Sequence, residues 1–100
     1  MSVFVMFKIP ADADRVKEVL AGHSDELTSA SARSREMGAL HHMFATDGHA
    51  VYVVDEWASA EAFQEFFSST PEVGTIMAEA GVTGPPDVMI FEQVPAAGSF

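Results

Sequence analysis

The sequence contains no cysteine and only five basic residues, and each shortage excludes a class of function. Without cysteine the chain cannot form a disulfide, a thiolate nucleophile, an iron–sulfur cluster or a Cys-containing zinc site. Fifteen acidic residues oppose the five basic ones, which gives a formal net charge of −10. Because such a charge repels phosphate groups, we expect neither nucleic acid nor an anionic membrane as a partner.

Long apolar runs are missing as well, since no stretch approaches the roughly 20 residues that a membrane-spanning helix needs. The apolar run at Ser2–Phe7 is too short for a secretory signal and has no basic flank, so we expect a cytoplasmic location. Apolar residues nevertheless form 48% of the 100 residues, enough for one folded core. We expect one domain over residues 1–94 and a loose tail over residues 95–100.

A hairpin is the clearest local prediction, because Asp47-Gly48 separates two runs with the composition of strands. This dipeptide favours a tight turn that needs positive φ angles. A two-residue loop places His42 and Asp55 in a diagonal relation on one side of the sheet, together with Trp57. The pattern leaves open which side of the hairpin meets the helices.

The remaining periodicity predicts an α+β fold. Strands are expected at residues 3–7, 40–46, 49–57 and 88–91, and helical segments at residues 11–38 and 59–81, with a restart at Thr70. The order βαββαβ is the ferredoxin-like pattern, a four-stranded antiparallel sheet with two helices on one face.

The strands themselves predict a homodimer. Residues 3–7, 51–54 and 88–91 are apolar on both sides, whereas a sheet with one wet face alternates apolar and polar residues. Two helices can cover only one face, so the other would expose more apolar surface than a soluble monomer usually carries. A second copy packed sheet to sheet is the simplest cover, because two-fold pairs are the commonest closed oligomers.

One ten-residue run, Val54-Asp55-Glu56-Trp57-Ala58-Ser59-Ala60-Glu61-Ala62-Phe63, resembles a known family. In this run a strand ends in an acid–Trp pair and leads into a helix that begins Ser-x-Glu-Ala-Phe. The pattern resembles that of the antibiotic biosynthesis monooxygenase branch of the dimeric α+β barrel superfamily. The resemblance extends over roughly residues 2–94 in length and order of elements. It implies a dimeric α+β barrel, in a superfamily that includes cofactor-free oxygenases of aromatic polyketides, heme-degrading enzymes, isomerases and proteins without known activity.

The resemblance does not imply heme degradation. Heme-degrading relatives use an Asn on the first strand, and a Trp and a His on the second helical segment. This chain has no asparagine, and Phe7, Phe66 and Ile76 stand at or near those positions. None of these side chains can replace the missing polar groups, so we predict no cofactor and leave cofactor-free oxygenase chemistry open.

The candidate catalytic pair is His42 and Asp55. A carboxylate that holds an imidazole in place is the arrangement a general base requires. The alternative is a purely structural hydrogen bond, since paired polar groups within a sheet often serve the fold. We expect the substrate, a small apolar or aromatic molecule, to contact His23, Tyr52, Trp57 and Phe66 in a pocket between sheet and helices.

No metal site is predicted. His41 and His42 are neighbours on a strand and point to opposite faces, so they cannot both bind one ion without a bulge. Two function classes remain: a cofactor-free, monooxygenase-like enzyme, and a non-catalytic protein that binds a small molecule or only assembles.

Overall fold

The computed structural model describes residues 2–84 and 86–100. The elements are β1 (Val3–Ile9), α1 (Ala13–Gly22), α2 (Ser24–Met37), β2 (Ala39–Thr46), β3 (Val51–Trp57), α3 (Ala60–Ser68), α4 (Pro71–Glu79) and β4 (Val88–Glu92). The predicted βαββαβ order is confirmed, and so is the restart at Thr70, which divides the second helical segment into α3 and α4. The first segment was predicted as one helix but is also a pair, which gives four helices in the described residues. None of these helices combines the length and the apolar character needed to cross a lipid bilayer.

The four strands form one antiparallel sheet in the order β2-β3-β1-β4. Side chains alternate between faces along each strand, so β1 buries Val5 and Ile9 among the helices and turns Phe4 outward. The core lies between this inner face and the helices, and its largest fully buried side chain is Trp57 at the end of β3. The predicted ferredoxin-like arrangement, with the helices against one face, is therefore confirmed.

Helix α1 ends where the sequence predicted a continuous helix. Gly22 closes α1, His23 adopts a non-helical φ of −119°, and α2 begins at Ser24. Gly22 is a weak helix former, and the acidic Asp25 and Glu26 favour a new helix N-terminus immediately after it. The division lets the chain turn between α1 and α2 and brings α2 across the inner end of β2.

Short polar residues cap the beginnings of α1 and α3, and a glycine ends α2. The side chains of Asp12 and Ser59 accept hydrogen bonds from backbone N–H groups in the first turns of α1 and α3. Gly38, the predicted stop, ends α2 with a φ of +121°. A Cβ at Gly38 would lie 3.3 Å from the Cβ of Ala62, so glycine is required there both by its backbone angle and by close packing.

The hairpin between β2 and β3 differs from the two-residue turn that was predicted. Thr46 pairs with Val51, which leaves a four-residue loop, Asp47–Ala50. The Asp47 carboxylate causes the change, because its Oδ1 accepts hydrogen bonds from the N–H groups of His49 and Ala50. Backbone hydrogen bonding holds the pKa of Asp47 at about 2. The register moves by two residues, so the paired residues 41–46 and 51–57 keep their predicted faces. The prediction is wrong for Ala39, because a β-bulge between Ala39 and His41 pairs Ala39 with Trp57 and buries it in the core.

The outer face of the sheet carries large apolar side chains that no helix covers. Met43 is 51% exposed and Phe91 is 47% exposed, and they share this outer face with Phe4 and Met89. The prediction of strands that are apolar on both sides is confirmed for β1, β3 and β4. Residues 93–100 follow β4 without helix or strand and are exposed.

Candidate functional site

A cleft opens between the inner face of the sheet and the helices. Its cavity volume is about 70 Å³, which is below the usual range of small-molecule sites, and its mouth is open to solvent. The sheet contributes Phe7 and Val53, α2 contributes Leu27, and α4 contributes Met77. We call this cleft the His42 pocket, because His42 is the only basic side chain among the described residues that line it.

Three side chains form a hydrogen-bonded chain in the wall of the His42 pocket. His42 on β2 pairs directly with Asp55 on β3, and its Nδ1 lies 2.7 Å from Asp55 Oδ1. The indole Nε1 of Trp57, two residues along the same strand face, donates to Asp55 Oδ2 over 3.1 Å. The predicted diagonal relation is corrected to a direct cross-strand pair, because the longer hairpin loop shifts the register.

The carboxylate of Asp55 fixes the tautomer of His42. Asp55 is only 5% exposed and, when ionised, can only accept hydrogen bonds. Neutral His42 therefore carries its proton on Nδ1, and Nε2 remains the basic nitrogen. Nε2 lies on the far side of the ring from Asp55 and has no hydrogen-bond partner in the described part of the chain. The arrangement can orient an imidazole to receive a proton.

The His42 side chain is accessible from the mouth of the pocket. It is 33% exposed, whereas Asp55 and Trp57 behind it are almost completely buried. The edge of its ring packs against Phe44, with 5.0 Å between ring centroids. The helices contribute few polar groups to the pocket lining. The hydroxyl of Ser34 on α2 lines the pocket but donates its hydrogen bond to the carbonyl oxygen of Ser31 in the same helix. The pocket is thus an apolar space with one basic nitrogen.

Aromatic rings form one wall of the His42 pocket. Trp57 lies 5.7 Å from Phe63 and 5.4 Å from Phe66, measured between ring centroids. Phe67 lies 5.5 Å from Phe63 and stacks on Phe7 at 5.8 Å. Such rings offer flat apolar contacts that favour a flat aromatic molecule.

Two of the predicted substrate-contacting residues lie elsewhere. Tyr52 is on the outer face of the sheet, because it alternates with the inward-facing Val51 and Val53, and it cannot line the pocket. Its hydroxyl donates to Asp47 over 3.0 Å, and this hydrogen bond raises the pKa of Tyr52. The structure corrects the prediction for Tyr52, whereas Trp57 and Phe66 do line the pocket.

His23 lies at the junction of α1 and α2, outside the pocket lining. Its Nε2 lies 2.5 Å from a carboxylate oxygen of Glu79 on α4, and this hydrogen bond is the main cause that raises the pKa of His23. The ring turns away from the sheet because the helix breaks at His23 itself. The structure therefore corrects the placement of His23 beside the sheet.

Sequence reasoning missed much of the helical wall. Leu27 and Ser31 on α2 and Val73 and Met77 on α4 line the pocket, and each lies at helical spacing from other inward-facing residues. The spacing could have shown that they face inward, but not that a cleft remains between them and the sheet.

His41 lies on the outer face, opposite His42, as strand alternation requires. Its Nδ1 lies 2.9 Å from a carboxylate oxygen of Glu56, and Ser2 donates to the other oxygen over 2.6 Å. Both contacts lower the pKa of Glu56, and the hydrogen bond from Ser2 has the larger effect. Among residues 2–84 and 86–100, no group of three or more His, Asp or Glu side chains is arranged to hold a metal ion.

No protein-family model matches the chain, and no curated protein resembles it closely enough to count as a match. Solved structures do match. A proposed antibiotic biosynthesis monooxygenase from Caulobacter crescentus superposes with a TM-score of 0.70 at 16% identity, over 94% of this chain and 91% of that one. SnoaB, a cofactor-independent oxygenase from Streptomyces nogalater, gives 0.60 at 11% identity, over 98% and 96%. A dimeric ferredoxin-like protein from an uncultured marine organism gives 0.64 at 13% identity, over 95% and 89%.

These likenesses define the class of fold. The chain has the ferredoxin-like α+β fold in the form found in structures described as antibiotic biosynthesis monooxygenases, as the resemblance of its Val54–Phe63 run implied. At such identities the likeness establishes the fold, and the function has to be argued from the His42 pocket.

Proposed function

We propose that this protein is a homodimeric, cofactor-free oxygenase that binds a flat aromatic phenol in the His42 pocket. His42 is the general base, Asp55 orients it, and Trp57 and Phe66 pack against the aromatic ring. The observation that carries the proposal is the 2.7 Å hydrogen bond from His42 Nδ1 to the buried Asp55 within an apolar cleft. This bond leaves one basic nitrogen available where nearly every other lining group is apolar.

The proposed chemistry begins with proton transfer. The phenolic hydroxyl donates to His42 Nε2, the proton moves to the imidazole, and Asp55 stabilises the resulting imidazolium. The phenolate is electron-rich and reacts with dioxygen at a ring carbon. One oxygen atom becomes the second oxygen of a quinone and the other leaves as water, so four electrons pass from the substrate to dioxygen. The apolar walls keep bulk water away from the anion.

Oxygen consumption with a panel of polycyclic phenols tests the activity. His42→Gln keeps a polar side chain but lacks the base, and we expect oxygen uptake to fall on the order of 100- to 10,000-fold. His49→Gln is the matched control, because His49 lies in the hairpin loop and does not line the pocket. Equal rates in the two variants would contradict the role of His42.

A non-catalytic binding protein is the second candidate. It is favoured by the observation that Asp55 already receives two hydrogen bonds, from His42 and Trp57, as a purely structural carboxylate would. Binding of the phenols without oxygen uptake would select this candidate.

The homodimer is supported by the exposed apolar side chains on the outer face of the sheet, Phe4, Met43, Met89 and Phe91. We propose that two copies pack these faces together. Light scattering after size exclusion should then give a mass of twice 10.7 kDa. Phe91→Glu places a charge in the face and should yield the single-chain mass, whereas Phe100→Glu in the exposed tail should not. A wild-type mass of 10.7 kDa would contradict the assembly.

A further inference from the structure

A second cavity lies beneath α4, beside the His42 pocket. Its cavity volume is about 460 Å³, and it lies between α4, the end of β1 and the beginning of β4, with a mouth open to solvent. Its lining includes Ile9, Val82 and Val88, and on α4 it includes Gly74 and Ala78. Among the described residues that line it, the thioether sulfur of Met77 is the only polar side-chain atom, and it is a weak hydrogen-bond acceptor. We call it the α4 chamber.

The α4 chamber and the His42 pocket share a wall. Phe7, Phe67, Val73 and Met77 line both cavities, so only single side chains separate the two spaces. Phe7 and Phe67 stack on each other, which keeps these two rings in place. Met77 is the adaptable member, because its unbranched side chain has several rotatable bonds. Of the four shared side chains, Met77 is therefore the one that can most easily move aside.

We propose that the α4 chamber is a second binding site, which takes an unbranched alkyl chain attached to the aromatic ring held at His42. This inference rests on the proposed function and extends it to a substrate class, aromatic phenols with a saturated side chain. An alkyl chain fits because the chamber is lined mainly by apolar groups, and a buried polar group without a partner is unfavourable. A thin chain also passes a displaced Met77 more easily than a second ring.

A series of 4-alkylphenols tests the proposal directly. Trp57 is the only tryptophan of the chain and lines the His42 pocket, so its fluorescence reports binding of each probe. For each methylene that enters the chamber, the dissociation constant should fall about fourfold, the usual gain for a buried CH₂ group. Phenol itself fills only the His42 pocket and sets the reference affinity.

Substitutions on α4 separate the chamber from a general affinity for apolar molecules. Gly74 lines the chamber and an added Cβ there would meet open space, so we expect the side chain of Gly74→Leu to occupy part of the chamber. Ala78→Leu, one helical turn further along the same edge, is the second variant in case the first does not fold. Thr75→Leu adds the same side chain to an exposed position outside both cavities and is the matched control.

In the chamber-filling variants, we expect that affinity no longer rises with the length of the alkyl chain, while phenol binds with unchanged affinity. In the control variant Thr75→Leu, affinity should rise with chain length as it does in wild type. The inference is overturned if wild-type affinity does not rise with chain length, or if a folded chamber-filling variant keeps the rise. Failure of the proposed function gives a different result. In that case phenol and every 4-alkylphenol would bind His42→Gln as tightly as they bind wild type.

Discussion

Replacing Asp55 by asparagine should inactivate the protein while leaving it folded. The indole N–H of Trp57 can only donate, so the amide oxygen of Asn must face Trp57 and its NH₂ group must face His42. His42 Nδ1 then has to accept a hydrogen bond, which moves the ring proton to Nε2. The nitrogen that faces the substrate becomes a donor, and proton abstraction should fall on the order of 100- to 10,000-fold.

The cost in stability follows from burial. Among the residues that the structure describes, Asp55 is the only one that accepts a hydrogen bond from the indole N–H of Trp57, a side chain that is 1% exposed, and Asp55→Ala removes this acceptor. A buried donor left unpaired costs about 1–3 kcal/mol. For a domain of this size each kcal/mol lowers Tm by roughly 4–8 °C. Asp55→Asn retains the acceptor, so its Tm should fall clearly less than that of the alanine variant.

Three measurements check this prediction. Thermal denaturation at one protein concentration compares the two variants, since Tm of a dimer depends on concentration. ¹⁵N NMR of the imidazole of His42 identifies the protonated nitrogen, and oxygen uptake reports activity. The reasoning is refuted if Asp55→Asn keeps wild-type oxygen uptake, or if its His42 still carries the proton on Nδ1.

Three further predictions follow from other parts of the fold. The pKa of His23 is raised in the folded protein, so its ion pair with Glu79 stabilises the fold fully below pH 6.5, the usual pKa of His. This stabilisation is lost as the pH rises through the raised pKa of the folded state. At higher pH, Tm of wild type should therefore approach Tm of His23→Gln. The pKa of Asp47 is lowered from 3.8 to about 2, so the Tm advantage of wild type over Asp47→Ala, measured in a pH series, should be present above pH 3.8 and shrink as pH falls toward 2. Gly38→Ala should cost about 1–3 kcal/mol in denaturant unfolding because φ is +121°, whereas Gly22→Ala, in a helix with open space, should not destabilise the protein.

The faces of the strands could be predicted from the sequence because side chains alternate strictly along a strand. His42, Asp55 and Trp57 share the inner face even though the loop is two residues longer than predicted, since a shift of two residues preserves the face. The turn type could not be predicted from Asp47-Gly48 alone. The dipeptide favours a two-residue turn, but the carboxylate of Asp47 bonds the backbone of a wider loop.

The helical side of the site was harder to predict. Helical spacing marks His23 as inward-facing only if the helix continues through it, and the break after Gly22 turns its ring toward Glu79. Tyr52 was assigned to the pocket for its chemistry, against the alternation that places it outside. A cleft remains only if the four helices lie far enough from the sheet. No local pattern in the sequence encodes the distance between the helices and the sheet.

The absorbance of bound 4-nitrophenol tests the central role of His42 most directly, because the phenolate form of this probe is coloured and the phenol form is not. The measurement is made just below the pH at which the free probe ionises, with wild type and His42→Gln each in excess. The account predicts a phenolate band for the probe bound to wild type and its loss in His42→Gln. The same spectrum in both proteins would contradict the assignment of His42 as the base.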